Sequence, residues 1–231
     1  MKGQEAAFLV GLLILEVILF LALWLAGQIV HRKRSEERYS VLTHFPFELV
    51  GEGVQASPLL RVLAVAWSSV DALCFAYPLL CGERFLVINP LLILILALTM
   101  AKALATIGIF FVPAYHFKTH LLCFVFQGTL TVLSSVSCAS AFLNLNAMSE
   151  IIPTVFAVIL FVFAAFGLVV MLNPKLSKWT EMNLEVGEDG SMNPIRPKPF
   201  PLAFAEWSFI LVGMLIALTY VLGLGLVIIS L

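Results

Sequence analysis

Apolar residues along this chain gather into six long runs, separated by stretches that hold most of the polar and charged positions. The runs cover approximately residues 7–30, 59–80, 85–112, 119–143, 151–172 and 202–231. Each meets the ~20 residues that a helix needs to cross a ~30 Å hydrocarbon layer, where no water can satisfy a non-helical backbone. The pattern predicts an all-α polytopic integral membrane protein, a single transmembrane domain built as a bundle of six helices. Pro58, Pro113, Pro153, Pro174 and Pro201 fall at or near run ends, where a missing amide donor costs little. Pro78 and Pro90 lie within a turn of a boundary, so no span needs a kink at its centre. The connectors at 81–84, 113–118 and 144–150 are short, which makes the second to fifth spans antiparallel neighbours.

Composition removes the competing classes. Of the 231 residues 61% are apolar and 12% charged, against ~45–50% and ~25% in ordinary soluble domains. A mean hydropathy of +1.06 leaves too little polar surface to cover a water-soluble fold. The net charge of -1 provides no basic field for nucleic acid. The four cysteines, Cys74, Cys81, Cys123 and Cys138, contain no CxxC pair, so neither a redox motif nor a zinc ribbon is expected. Cys81 and Cys138 come near one membrane face, but buried cysteine acts mainly as a small hydrophobe and no disulfide framework is predicted.

The placement of Lys and Arg predicts orientation. Arg32, Lys33, Arg34, Arg38, Arg61, Lys118, Lys175, Lys178, Arg196 and Lys198 fall on one side, and only Lys2 and Arg84 on the other. The positive-inside rule then puts both termini outside the cytoplasm, in the plasma membrane. The first run follows a nearly neutral leader and precedes HRKRSEER, so it reads as an anchor rather than a cleaved signal. The longer connectors, 31–58 and 173–201, are both cytoplasmic on this reading and too short to enclose a core of their own. Within the second, Glu188-Asp189-Gly190 between WTEMNLEV and SMNPIRP signals a β-hairpin, with Pro194 and Pro197 weakening its second strand.

Glu16, Asp71 and Lys102 lie well inside the first three spans, all within roughly 5 Å of their midpoints at 1.5 Å per residue. Charges at that depth face the protein interior and seek partners. Around them, Ser68 precedes Asp71 by one helical turn, and Thr99 and Thr106 share a stripe with Lys102. Gln127, Thr131, Ser134 and Ser135 give the fourth span its long polar face. Spans one to four are therefore expected to surround a polar centre. The fifth and sixth, the latter with Gly213 and Ala217 in a small-xxx-small pattern, read as packing helices.

His116 and His120 form an HxxxH pair, a weak metal candidate without the acidic residue of HExxH, and read instead as interfacial histidines. Glu206 and Trp207 open the last span, where a helix N-terminus and an interfacial belt explain them. No cofactor and no enzyme activity are predicted, because no histidine lies at the depth of the fourth-span serines to act as their base. Two functions remain open. One is a small proton- or cation-coupled transporter-like protein with a midplane charge cluster. The other is a non-catalytic scaffold or assembly subunit whose buried charges only pair helices. The expected partners are the lipid bilayer, a second copy of the chain, or a larger membrane assembly. Orientation is checked by Ser191→Cys in a background lacking the native thiols. Labelling by a membrane-impermeant maleimide is expected only after permeabilisation, and labelling of intact cells would invert the topology.

Overall fold

The computed structural model describes residues 2–34, 38–51, 57–80, 90–113, 116–145, 151–176, 184–186, 192–194 and 200–230. Six long helices make up the bundle: α1 (Lys2–Arg34), α3 (Pro58–Leu80), α4 (Pro90–Phe111), α5 (Phe117–Leu145), α6 (Ile151–Met171) and α7 (Pro201–Ser230). All six are long and apolar enough to cross a membrane, and the chain is a multi-pass integral membrane protein. The short α2 (Pro46–Val50) lies in the first long connector. In the second, β1 (Leu184–Val186) pairs antiparallel with β2 (Met192–Pro194), Glu185 opposite Asn193. The pairing follows the predicted hairpin, and residues 187–191 between the strands lie outside those described.

Prolines set several boundaries. Pro58, Pro90 and Pro201 each occupy the first position of a helix, where the absent N–H is one that the helix would not use. The third span was expected from residue 85, but its helix begins at Pro90 and residues 81–89 lie outside the described chain. The first helix runs past the predicted end at residue 30, carrying Arg32 and Lys33 beyond the apolar stretch. Cys74, Cys123 and Cys138 are free thiols. Cys81, the other half of the pair considered above, is not among the described residues.

Helices α1, α3, α4, α5 and α6 pack in chain order, and α7 closes the arrangement by touching α6 and α1. Helix α7 also reaches α3 and α5, which makes it the most enclosed span. That corrects the expectation of a peripheral packing helix: Ala203, Glu206, Ile210, Gly213, Ala217 and Tyr220 are all buried along it. Helix α6 is peripheral, with Val158, Val162 and Val169 turned outward.

The first long connector is part of this core. Phe45, Phe47, Leu49 and Val50 are each at most 7% exposed, although they lie outside any span. The Phe45 N–H donates to the Glu48 carboxylate at 2.7 Å, closing the start of α2. Gly51 ends α2 at φ 82, a conformation that suits glycine. Leu49 then inserts against Gly27 of α1, so tightly that a β-carbon at Gly27 would collide with its side chain. Trp207 was expected at the interface but is buried, its indole N–H donating to the Tyr39 hydroxyl and to the His44 carbonyl, each at 3.0 Å. Tyr39 in turn donates to the Phe45 carbonyl at 2.8 Å, and the Phe200 N–H donates to the Leu42 carbonyl at 2.7 Å. Segment 38–51 is thereby tied to α1 and to the start of α7.

Deleting a buried leucine leaves a cavity costing ~2–5 kcal/mol, whereas exposed positions usually change stability by under ~0.5 kcal/mol. Leu49→Ala is therefore expected to lower unfolding free energy in detergent by about 2–4 kcal/mol, while Leu104→Ala, at a residue 70% exposed, leaves it nearly unchanged. Equal effects would mean that the connector is not packed as described.

Candidate functional site

Two buried polar centres occupy the bundle. The first joins α1, α3 and α4 at the predicted depth. Lys102 Nζ lies 2.8 Å from Asp71 Oδ2, with the two side chains 4% and 5% exposed. Helix geometry brings them together: each sits at the inner stripe of its span, and α3 and α4 pack side by side. The ammonium also lies 5.3 Å from the centre of the Phe75 ring, a cation–π distance. Gly213 of α7 makes room for it, because a β-carbon there would stand 3.3 Å from Nζ. Gly213 is thus the seat of the lysine head as well as a packing residue.

Glu16 is fully buried on α1. Its Oε2 accepts a long contact of 3.7 Å from the Cys74 thiol, a weak donor. Asp71 and Lys102 are its charged neighbours. Glu16 Oε1 and Asp71 Oδ1 are nevertheless both buried without a hydrogen bond. Lys102 and Asp71 thus form a close pair, and Glu16 is a second carboxyl beside them, with no ion pair of its own among the described residues.

A cavity of about 10 Å³ adjoins the pair, walled by Trp67, Ser68, Asp71, Lys102, Thr106 and residues of α7. That is close to the space that one water needs. Trp67 Nε1, Ser68 Oγ and Asp71 Oδ1 are buried there with no hydrogen bond, beside the Lys102 ammonium paired with Asp71 Oδ2. The cluster is enclosed, and it is polar beyond what its own side chains satisfy.

The remaining polar residues divide. Thr106 donates to the Lys102 carbonyl at 2.9 Å and accepts from Gln127 Nε2 at 3.2 Å, which attaches α5 to the cluster. Thr99 is buried and bonds back to Ile95 O in its own helix at 2.9 Å. Thr131 and Ser134 are buried but do not border the cavity. Ser135 points elsewhere: its hydroxyl donates to the Leu160 carbonyl of α6 at 2.6 Å, fastening the α5–α6 seam.

The second centre lies where α4 ends and α5 and α7 begin. His120 and Glu206 are both 0% exposed, with Nε2 and Oε1 2.8 Å apart. His120 Nδ1 lies 2.6 Å from the Val112 carbonyl just beyond α4, a group without an intrahelical partner because the helix ends there and the His116 N–H goes to the Pro113 carbonyl. A carbonyl only accepts, so Nδ1 carries hydrogen and a further proton is shared between Nε2 and Glu206. The rings of Phe45 and Phe47 stand edge-to-face against the imidazole at 5.6 and 5.7 Å. His116 is exposed one turn earlier, so the HxxxH pair does not present two open imidazoles to a common point. Among the described residues no group of three or more His, Cys, Asp or Glu is arranged to hold a metal.

The sequence pattern did not point to this pair, because His120 read as an interfacial histidine and Glu206 as the acidic residue of a helix N-terminus. The available signal was positional: His120 stands near the start of α5 and Glu206 near the start of α7, at the same end of the bundle. No known protein family, curated protein or solved structure matches the chain.

Removing one partner of a buried pair strands the other, typically at ~3–5 kcal/mol, whereas an apolar replacement of both is often nearly neutral. Glu206→Leu is expected to destabilise the protein by about that amount, and His120→Phe with Glu206→Leu by clearly less than the sum of the two single changes. Additive losses in a double-mutant cycle would show that the two side chains are not coupled.

Proposed function

We propose that the chain is a small proton- or cation-coupled transporter-like protein, and that Glu16 carries the exchanged charge. One observation carries this reading: two carboxyls share an enclosed site with a single ammonium, and the ammonium is committed to Asp71. An uncompensated carboxylate at bilayer depth is costly, and a proton or small cation removes that cost. Lys102 acts as a counter-charge tethered to Asp71, and Glu16 binds and releases. The adjoining cavity has room for one water beside Asp71, Lys102 and Ser68, although Glu16 does not border it. The proposal includes no catalysis. It places the protein in the plasma membrane with both termini outside the cytoplasm, following the distribution of Lys and Arg.

A scaffold reading draws on a different observation, the tight closure of the Asp71–Lys102 pair, which fastens α3 to α4 whatever Glu16 does. Infrared difference spectroscopy across a pH step separates the two without knowledge of a cargo. Coupling predicts a protonated-carboxyl band that titrates, disappears in Glu16→Gln and weakens in Asp71→Asn, which frees Lys102 to answer Glu16. No titrating band, or one untouched by Glu16→Gln, overturns the assignment. Thermal stability supplies the second arm. A pure brace predicts strong destabilisation by Asp71→Asn or Lys102→Met alone, with recovery in the charge-free variant that carries Glu16→Gln, Asp71→Asn and Lys102→Met together. A coupling site predicts that Glu16→Gln is at least as stable as the parent, because the neutral amide relieves the carboxyl without a cation.

A further inference from the structure

A separate site lies where α1 leaves the apolar layer. Gln28, Ile29 and Arg32 form one wall of a cavity of about 240 Å³, and Arg38 and Tyr39 of the returning chain form the other. Gln28 and Arg32 are one helical turn apart and share a face. Both arginines are exposed, and among the described residues neither guanidinium pairs with a carboxylate. The far wall is rigid: Tyr39 is buried, bonded through its hydroxyl to Phe45 O, and packed edge-on against Trp24 and His31. Ile29 is 59% exposed on the apolar side of the same cavity.

These features specify a ligand with two parts. Two arginines lining one space select an anion that accepts bidentate hydrogen bonds, above all a phosphate. The Gln28 amide offers a neutral donor and acceptor for hydroxyls or esters nearby. Ile29 and the outward face of α1, including Leu25 and Leu21, continue from the cavity as exposed apolar surface suited to acyl chain. The volume falls below the roughly 300–1,000 Å³ of pockets for drug-sized molecules and suits a headgroup whose tails remain outside. We propose that Gln28, Arg32, Arg38 and Tyr39 form a binding site for the phosphate headgroup of an anionic phospholipid, whose acyl chains run along α1.

Free phosphate shares the headgroup chemistry but lacks the tails, so the test contains both. The full-length protein, purified in detergent, is exposed to equal amounts of phosphatidylglycerol and phosphatidylcholine, and retained lipid is counted by native mass spectrometry. Preferential retention of about one phosphatidylglycerol is expected. At roughly fivefold in affinity for each basic residue near an anionic group, Arg32→Gln and Arg38→Gln should each reduce that preference about fivefold, and together about 25-fold. Lys33→Gln, the same loss of charge at an exposed neighbour outside the cavity, should leave it intact. Equal retention of the two lipids, or equal losses in Lys33→Gln and Arg32→Gln, would reduce the site to unspecific attraction and overturn the proposal. Thermal stabilisation by inorganic phosphate matching that by phosphatidylglycerol would assign the cavity to a free anion instead, and likewise overturn it.

Discussion

Hydrocarbon offers a buried ammonium neither water nor counter-ions, so Lys102 has to be answered by groups that the protein itself brings to that depth. Asp71 from α3 provides the anion, Phe75 from the same helix provides a ring face, and Gly213 from α7 yields the space. Glu16 adds α1 to the same layer, and Thr106 with Gln127 adds α5. Five of the six spans are thus located by one cation, and α6 is fixed separately through Ser135 and the Leu160 carbonyl.

Helix α7 links this layer to the second polar centre. Glu206 and Gly213 are seven residues apart, two turns along one face, or about 10 Å. One side of a single helix therefore touches both the His120 imidazole and the Lys102 head. A shift of α7 along its axis would disturb both contacts together. The tight fit of Phe209 against Gly128 and of Phe142 against Gly223 opposes such sliding elsewhere along the helix.

What the sequence made legible was set by the membrane. Span lengths follow from hydrocarbon thickness, and the common depth of Glu16, Asp71 and Lys102 follows from helical rise, so both could be counted along the chain. The connector at 38–51 could not be read this way, because its apolar residues are too few to stand out from a span-dominated pattern and its partners are distant in sequence. Trp207 and Tyr39 are separated by 168 positions. Glu206 and Trp207 matched a generic interfacial signature, and only the folding of that connector over the helix ends makes their surroundings an interior. Ser135 illustrates a finer limit: it follows Ser134 directly and so stands about 100° around α5 from it, which turns its hydroxyl to the Leu160 carbonyl of α6.

The connector also imposes an order on biogenesis. Segment 38–51 is synthesised early, yet the surfaces that receive it, His120, Phe200 and Trp207, arrive late. At ~5–20 residues per second, the 168 positions between Tyr39 and Trp207 represent roughly 10–30 s of translation. During that interval Phe45, Phe47 and Leu49 have no completed cavity to enter, and the early spans stand in the membrane with an open seam at one end. Insertion of the last helix is then the event that closes the bundle, so a nascent chain arrested before α7 would present an apolar loop for quality-control factors to recognise.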